Sequence, residues 1–164
     1  MGYTTDFTGK FTLDRVMSEE HAAYLNKFAD TRRMQRNVKL AVKLGDPVRK
    51  AVGLPVGEQG SYFVGEDDFH GESVINGNKP PADQPGLWCQ WEVTNNRKDI
   101  EWDRGEKFYG YVEWIQYIID HFLKLWGYKL NGEVTWSGED LDDLGAIVIV
   151  DNVVNVFNGE VTYS

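Results

Sequence analysis

Residues 145–157 read Gly-Ala-Ile-Val-Ile-Val-Asp-Asn-Val-Val-Asn-Val-Phe, and this stretch decides the fold. Ile147, Val148, Ile149 and Val150 on one side of Asp151-Asn152, and Val153, Val154 and Val156 on the other, are β-branched residues that suit a pleated surface. Asp-Asn between two such runs is a two-residue turn of the kind that joins antiparallel neighbours. Upstream, residues 133–137 alternate Val134 and Trp136 with Glu133 and Thr135. Downstream, Asn158-Gly159 is a second turn signal before a strand expected over 160–163. The C-terminal part is therefore a β-meander over 133–137, 145–150, 153–157 and 160–163.

Working outward, Gly127 closes a long helix whose apolar stripe is Phe108, Tyr111, Val112, Ile115, Ile118, Ile119, Phe122 and Trp126. Asp103 with Glu106 predicts its start as a capping box. Glu113, Gln116, Asp120, His121 and Lys124 interrupt the apolar run, which makes it a core helix and not a membrane span. Before it lies a hairpin over 87–103. Leu87, Cys89, Trp91 and Val93 alternate with Trp88, Gln90, Glu92 and Thr94, and Ile100 and Trp102 follow a four-residue loop, Asn95 to Lys98. That loop length places Trp91 across from Trp102, and Glu92 across from Glu101.

The N-terminal part reads differently. Phe7, Phe11 and Leu13 mark a strand over 6–13. Ser18 caps a helix bearing Ala22, Leu25, Phe28 and Ala29, with Glu19 and Glu20 in the first turn where the helix dipole favours them. The stripe breaks near 30–33, because Arg32, Arg36, Lys39 and Lys43 would otherwise fall on the buried face. Met34, Val38, Ala41 and Val42 then predict a basic amphipathic helix with those cations on its far side, although Val38, Leu40, Val42 and Leu44 also alternate as a strand would. Asp46-Pro47 opens a short helix that Gly53 stops. Ser61 to Val64 read as a short strand and 65–86 as a long irregular loop, a type that often carries function. The expectation is an α+β fold in one domain over 1–164, with 1–60 mainly helical, an antiparallel sheet, a C-terminal meander and one long packing helix.

Net charge is −9 and unevenly spread: residues 1–60 hold ten Lys or Arg against seven Asp or Glu, and the remainder seven against nineteen. Residues 32–50 alone hold seven cations and one acid, Asp46. A basic patch on an acidic body attracts anions locally and basic protein surfaces elsewhere. The single cysteine, Cys89, allows no intrachain disulfide and no cysteine-built zinc site. With no apolar leader at the N-terminus, a cytoplasmic protein without membrane attachment is expected.

Two constellations carry chemistry. Arg32, Arg33 and Arg36 present planar forks suited to a phosphate or carboxylate, with Trp88 and Gln90 as neighbours that could stack on or bond to a small anionic ligand. The competing reading has these arginines neutralised within the protein. Glu92 and Glu101 are weak catalytic candidates: two facing carboxylates resist joint ionisation and could share a proton or a cation, or simply form a solvated hairpin face. The turn 138–143 is acidic but lacks the ligand spacing of an EF-hand, His70 beside Asp67 and Asp68 is a weak metal hint, and no two of His21, His70 and His121 form a paired motif. No metal or cofactor is expected.

Several phrases are distinctive: residues 24–34 (Tyr-Leu-Asn-Lys-Phe-Ala-Asp-Thr-Arg-Arg-Met), 53–57 (Gly-Leu-Pro-Val-Gly), 84–91 (Gln-Pro-Gly-Leu-Trp-Cys-Gln-Trp), 106–109 (Glu-Lys-Phe-Tyr) and 130–133 (Leu-Asn-Gly-Glu). Across nearly the whole chain they resemble a family of uncharacterised bacterial and phage proteins. The resemblance implies an intracellular accessory protein, phage- or prophage-borne, and transfers no catalytic residue. The leading expectation is a non-enzymatic binding protein, such as a counter-defence factor, that occupies a host or defence protein or sequesters a small anionic ligand. The alternatives are a small hydrolase using Glu92 and Glu101, and a nucleic-acid-binding protein acting through residues 32–50.

Overall fold

The computed structural model describes residues 2–65 and 68–160. The chain builds two compact units, one from Met1–Met17 with Gln90–Ser164 and the other from Ser18–Cys89.

The first unit has the expected α+β architecture. Its strands are β1 (Asp6–Leu13), β4 (Trp91–Val93), β5 (Asp99–Trp102), β6 (Leu130–Ser137), β7 (Leu144–Val150) and β8 (Val153–Asn158). They form one antiparallel sheet in the order β4-β5-β1-β6-β7-β8. The hairpin register is the one read from the loop length, with Trp91 opposite Trp102 and Glu92 opposite Glu101. Residues 87–90 lie outside the ladder, so the paired part is shorter than expected. Asp151 and Asn152 adopt φ of 46° and 70°, the left-handed pair that a tight hairpin turn requires. Asn158-Gly159 is not a turn back: Asn158 belongs to β8, and the Gly159 amide still donates to the Leu144 carbonyl at 2.7 Å. Residues 161–163 of the expected fourth strand lie outside the described residues.

The core face of the sheet is aromatic. Phe7 sits among Trp91, Trp102, Phe108 and Tyr111 with ring centroids 5.0–5.7 Å away, mostly edge-on or tilted as ring quadrupoles prefer. Helix α4 (residues 111–126) covers this face, with Trp114, Ile115, Tyr117, Ile118, Ile119, Phe122 and Leu123 buried. The helix starts seven residues later than the Asp103–Glu106 box implied, with Gly110 in place of Asp103 at the N-cap. Arg104, Lys107 and Gly110 take φ of 69°, 60° and 66°, which no helix tolerates, and Asp103 instead accepts the Gly105 amide in a tight turn. Phe108 reaches the core from that loop, not from the helical stripe. The segment Ile119–Leu123 is a π-turn inside the helix.

The second unit contains α1 (Glu19–Asp30), β2 (Gln35–Arg36), α2 (Val38–Leu44), α3 (Pro47–Ala51) and β3 (Val74–Asn76), with β2 and β3 forming a two-stranded ladder. Ser18, Asn37 and Asp46 cap the three helices through their side-chain oxygens. The break after Asp30 is real: Thr31 is extended and turns its hydroxyl onto the Lys27 carbonyl. Three expectations need correction. Ser61 to Val64 form turns after a 3₁₀ segment, Glu58–Gly60, and no strand. The expected loop 65–86 contributes β3, and its Lys79 and Leu87 carbonyls accept from the Gln35 and Arg33 amides. The basic helix begins only at Val38, so Met34 and Arg36 precede it; Met34 and Ala41 are buried and Lys39 and Lys43 exposed as expected, but Val38 and Val42 also face solvent and Arg36 is buried.

Candidate functional site

Arginine chemistry organises the Ser18–Cys89 unit. Arg33 is 2% exposed, and its guanidinium lies 4.2 Å over the Phe28 ring. One terminal nitrogen donates to the carbonyls of Ser61 (2.9 Å) and Phe63 (3.0 Å), and Nε reaches the Gln84 side-chain oxygen at 3.3 Å. Arg36, also 2% exposed, lies 4.6 Å over the Phe63 ring and donates to the Ser73 hydroxyl at 2.8 Å. Phe63 thus receives both arginines, one at its carbonyl and one at its ring. Arg32 is half-buried, donating to the Gly77 carbonyl at 2.8 Å. These forks engage the protein's own oxygens, the planar geometry that guanidinium matches best.

Arg49 repeats the pattern with a carboxylate. It pairs with Asp46 at 3.0 Å, both buried, and Asp46 also accepts the Val64 amide at 3.0 Å. A buried ion pair is favourable only when its remaining bonds are met, and here the Leu54 carbonyl takes a further guanidinium hydrogen. Asp46-Pro47 reads in sequence as a helix start alone; nothing in the spacing announces the Arg49 pair.

Of the expected ligand neighbours, Trp88 is 39% exposed in the second unit. Gln90 belongs to the sheet unit, where its amide nitrogen donates to the Glu106 carbonyl at 2.9 Å and its oxygen faces Trp102 Nε1 at 3.4 Å. The largest exposed element of residues 32–50 is α2. Val38 (40%), Val42 (53%) and Leu44 (38%) are exposed beside exposed Lys39 and Lys43, and Ala41 is the helix's one buried residue.

Of the facing glutamates, Glu101 borders a cleft of the sheet unit. The β1–β5 ladder registers only Phe11 with Ile100 and Thr12 with Asp99, whereas β1 pairs with β6 along its whole length. Gly9, with φ of 105°, lies where β1 parts from β5; a Cβ there would sit 2.5 Å from the Glu133 carbonyl oxygen. The opening, about 170 Å³, is lined by Phe7, Thr8, Gly9, Glu101, Trp102 and Arg104. Beside it Asp99 accepts from Asn96 (3.0 Å), Thr12 (2.9 Å) and Lys10 (3.1 Å). The Asn96 amide does most to hold its carboxyl below the usual carboxylate value; burial opposes this, and Thr12 and Lys10 reinforce it. Burial pushes the Tyr111 phenol up to about 12, with Asp143 and Glu113 adding to the effect.

The acidic turn 138–143 is tied into the fold. Asp143 accepts from Trp136 Nε1 at 3.0 Å and from the Tyr3 hydroxyl at 2.7 Å. Among the described residues no group of three or more His, Cys, Asp or Glu side chains is placed to hold a metal ion. His121 stacks on Tyr117 with centroids 3.9 Å apart, the His70 amide bonds to Asp68, and Cys89 is buried. Asp67 lies outside the described residues. No described helix is long and apolar enough to cross a membrane.

Compared with known protein families, curated proteins and solved structures, the chain matches none.

Proposed function

We propose that this is a non-enzymatic binding protein that docks a partner protein through α2, the partner presenting an acidic surface with apolar residues within it. The observation that carries the proposal is the exposure of apolar side chains on α2 while three arginines of residues 32–50 are buried. Arg33, Arg36 and Arg49 are inside, while Val38, Val42 and Leu44 stand in water. Burying charge and exposing valine is the opposite of what stability alone selects. Exposed apolar side chains ringed by charge are the composition of a docking patch. Lys39 and Lys43 give that patch a positive sign on a chain of net charge −9, which favours an acidic partner locally. Occupation of a host or defence protein is one form of this reading.

A photo-crosslinking residue placed at Val42, with one at Glu113 as control, tests it in bacterial cells. The expected result is one discrete adduct at position 42, absent from the control and lost when Lys39 and Lys43 are both changed to Glu. A smear of many adducts, or equal crosslinking at both positions, would overturn the proposal.

A hydrolase reading rests on a different observation, the register of Glu92 with Glu101 beside the 170 Å³ cleft. It requires that Glu101→Gln abolish turnover of a glycoside or phosphodiester panel while leaving α2 crosslinking intact.

A further inference from the structure

The two edges of the sheet are unlike. β4 is three residues long and carries Glu92, and short charged edges resist pairing with another strand. β8 is six residues long, Val-Val-Asn-Val-Phe-Asn, with no charge, no proline and no bulge; β7 behind it is uncharged as well. Asp151 and Glu160 mark the nearest charges on either side along the chain. Val153 (60%), Val156 (44%) and Phe157 (58%) are exposed.

The hairpin geometry fixes which backbone groups of β8 face outward. A two-residue turn makes Val150 and Val153 a hydrogen-bonded pair, and such pairs alternate along an antiparallel ladder. The sequence of pairs then runs Val153, Asn155, Phe157 and Gly159 toward β7, and the Gly159 bond to Leu144 confirms the phase. Val154, Val156 and Asn158 therefore aim their N–H and C=O groups at the open edge, where no described strand pairs with them.

We propose that this edge is a self-association surface, on which β8 of a second copy of the chain adds antiparallel about a two-fold axis. The occupant must be an extended strand, because only a strand meets three alternating outward donors and acceptors. It must also be uncharged, because the edge offers nothing for a charge to pair with. The chain's own β8 satisfies both conditions. Centring the axis on Val156 pairs Val156 with its copy, Val154 with Asn158 of the copy, and Phe157 beside Asn155 of the copy. Two bodies of net charge −9 repel, so they meet best along a neutral strip. The strip is narrow, which makes the association reversible and concentration-dependent. This inference is independent of the α2 docking proposal.

The test is native mass spectrometry and sedimentation of the whole chain from about 1 μM to about 1 mM, a range that spans weak association. The expected species is a dimer of the 18.8 kDa chain that grows with concentration. Val156→Pro removes an outward amide and leaves the β7 ladder intact, and Val156→Lys places a charge on the axis. Both are expected to be monomeric with unchanged far-UV circular dichroism. Amide exchange supplies a reading that does not depend on the variants: Val154, Val156 and Asn158 should gain protection with concentration, while Val153, Asn155 and Phe157 stay protected throughout. A chain monomeric across the range, or a dimer unaffected by both substitutions and lacking that alternation, would overturn the proposal.

Discussion

The two units of this chain are stabilised by different means. In the sheet unit, Phe7, Phe11, Val134, Ile147 and Ile149 are buried at alternate strand positions, and apolar area removed from water does the work. In the Ser18–Cys89 unit, buried Arg33, Arg36 and Arg49 join an apolar core that includes Tyr24, Leu25, Phe28 and Phe63, Arg33 closing several carbonyls and Arg49 a carboxylate. The lesson is that a run of cations in sequence does not define a surface. A guanidinium that finds planar acceptors and an aromatic face can serve as a core residue.

The largest expected effect tests that difference directly. Arg33→Met removes the fork that holds the Ser61 and Phe63 carbonyls, and should cost the unit at least about 3 kcal/mol in urea unfolding, since bonds to charged donors are the strong ones. Arg33→Lys should recover little of it, because an ammonium cannot reproduce the fork. Native-state hydrogen exchange should show protection lost over 18–89 first; equal loss across the sheet would break the distinction between the units.

A smaller effect sharpens the sheet side. The folded Asp99 carboxyl titrates below its ordinary 3.8, so the native state favours the ionised form. The stabilisation is complete above 3.8 and is lost as pH falls through the folded value. Asp99→Asn should flatten the acid limb of the stability curve in that window; an unchanged limb would mean the Asn96, Thr12 and Lys10 bonds contribute nothing. The smallest effect concerns the facing glutamates. Like charges across a ladder repel, so Glu101→Gln should stabilise the sheet by roughly 0.2–1 kcal/mol in thermal unfolding. A loss of stability would show that Glu101 makes a favourable contact that its register conceals.

Much of the sheet unit was legible because its signals are local. Period-two alternation marks β6, a β-branched run marks β7, Asp151-Asn152 marks the β7–β8 turn, and a four-residue loop sets the Trp91–Trp102 register. The helix start was misplaced because Asp103 and Glu106 satisfy the capping pattern while Arg104, Lys107 and Gly110 hold left-handed backbone that no pattern announces. In the other unit the burial of Arg33 depends on carbonyls of Gly60 to Phe63 and on Gln84, separated from it by 27 to 51 positions. A seven-residue helix such as α2 is too short for its stripe to reveal which side faces inward. Asn152 shows the same limit at the meander turn: its side chain accepts from the Leu130 amide and donates to the Tyr128 carbonyl, both at 2.7 Å, a role its place in a turn signal does not disclose.

The π-turn at Ile119–Leu123 has a consequence for how this chain tolerates insertions and deletions. Trp114, Ile118 and Phe122 are buried at a strict four-residue spacing, as are Ile115, Ile119 and Leu123. On an ordinary helix that spacing drifts about 40° per step, and the wider turn takes up the drift. Such a turn is what a helix looks like after it has absorbed one extra residue without refolding. Deleting a single position within 119–123 would return the segment to an ordinary helix and leave the turns before and after it in phase. Elsewhere in the helix a one-residue deletion would rotate every later position by about 100°; here it would only remove the wide turn.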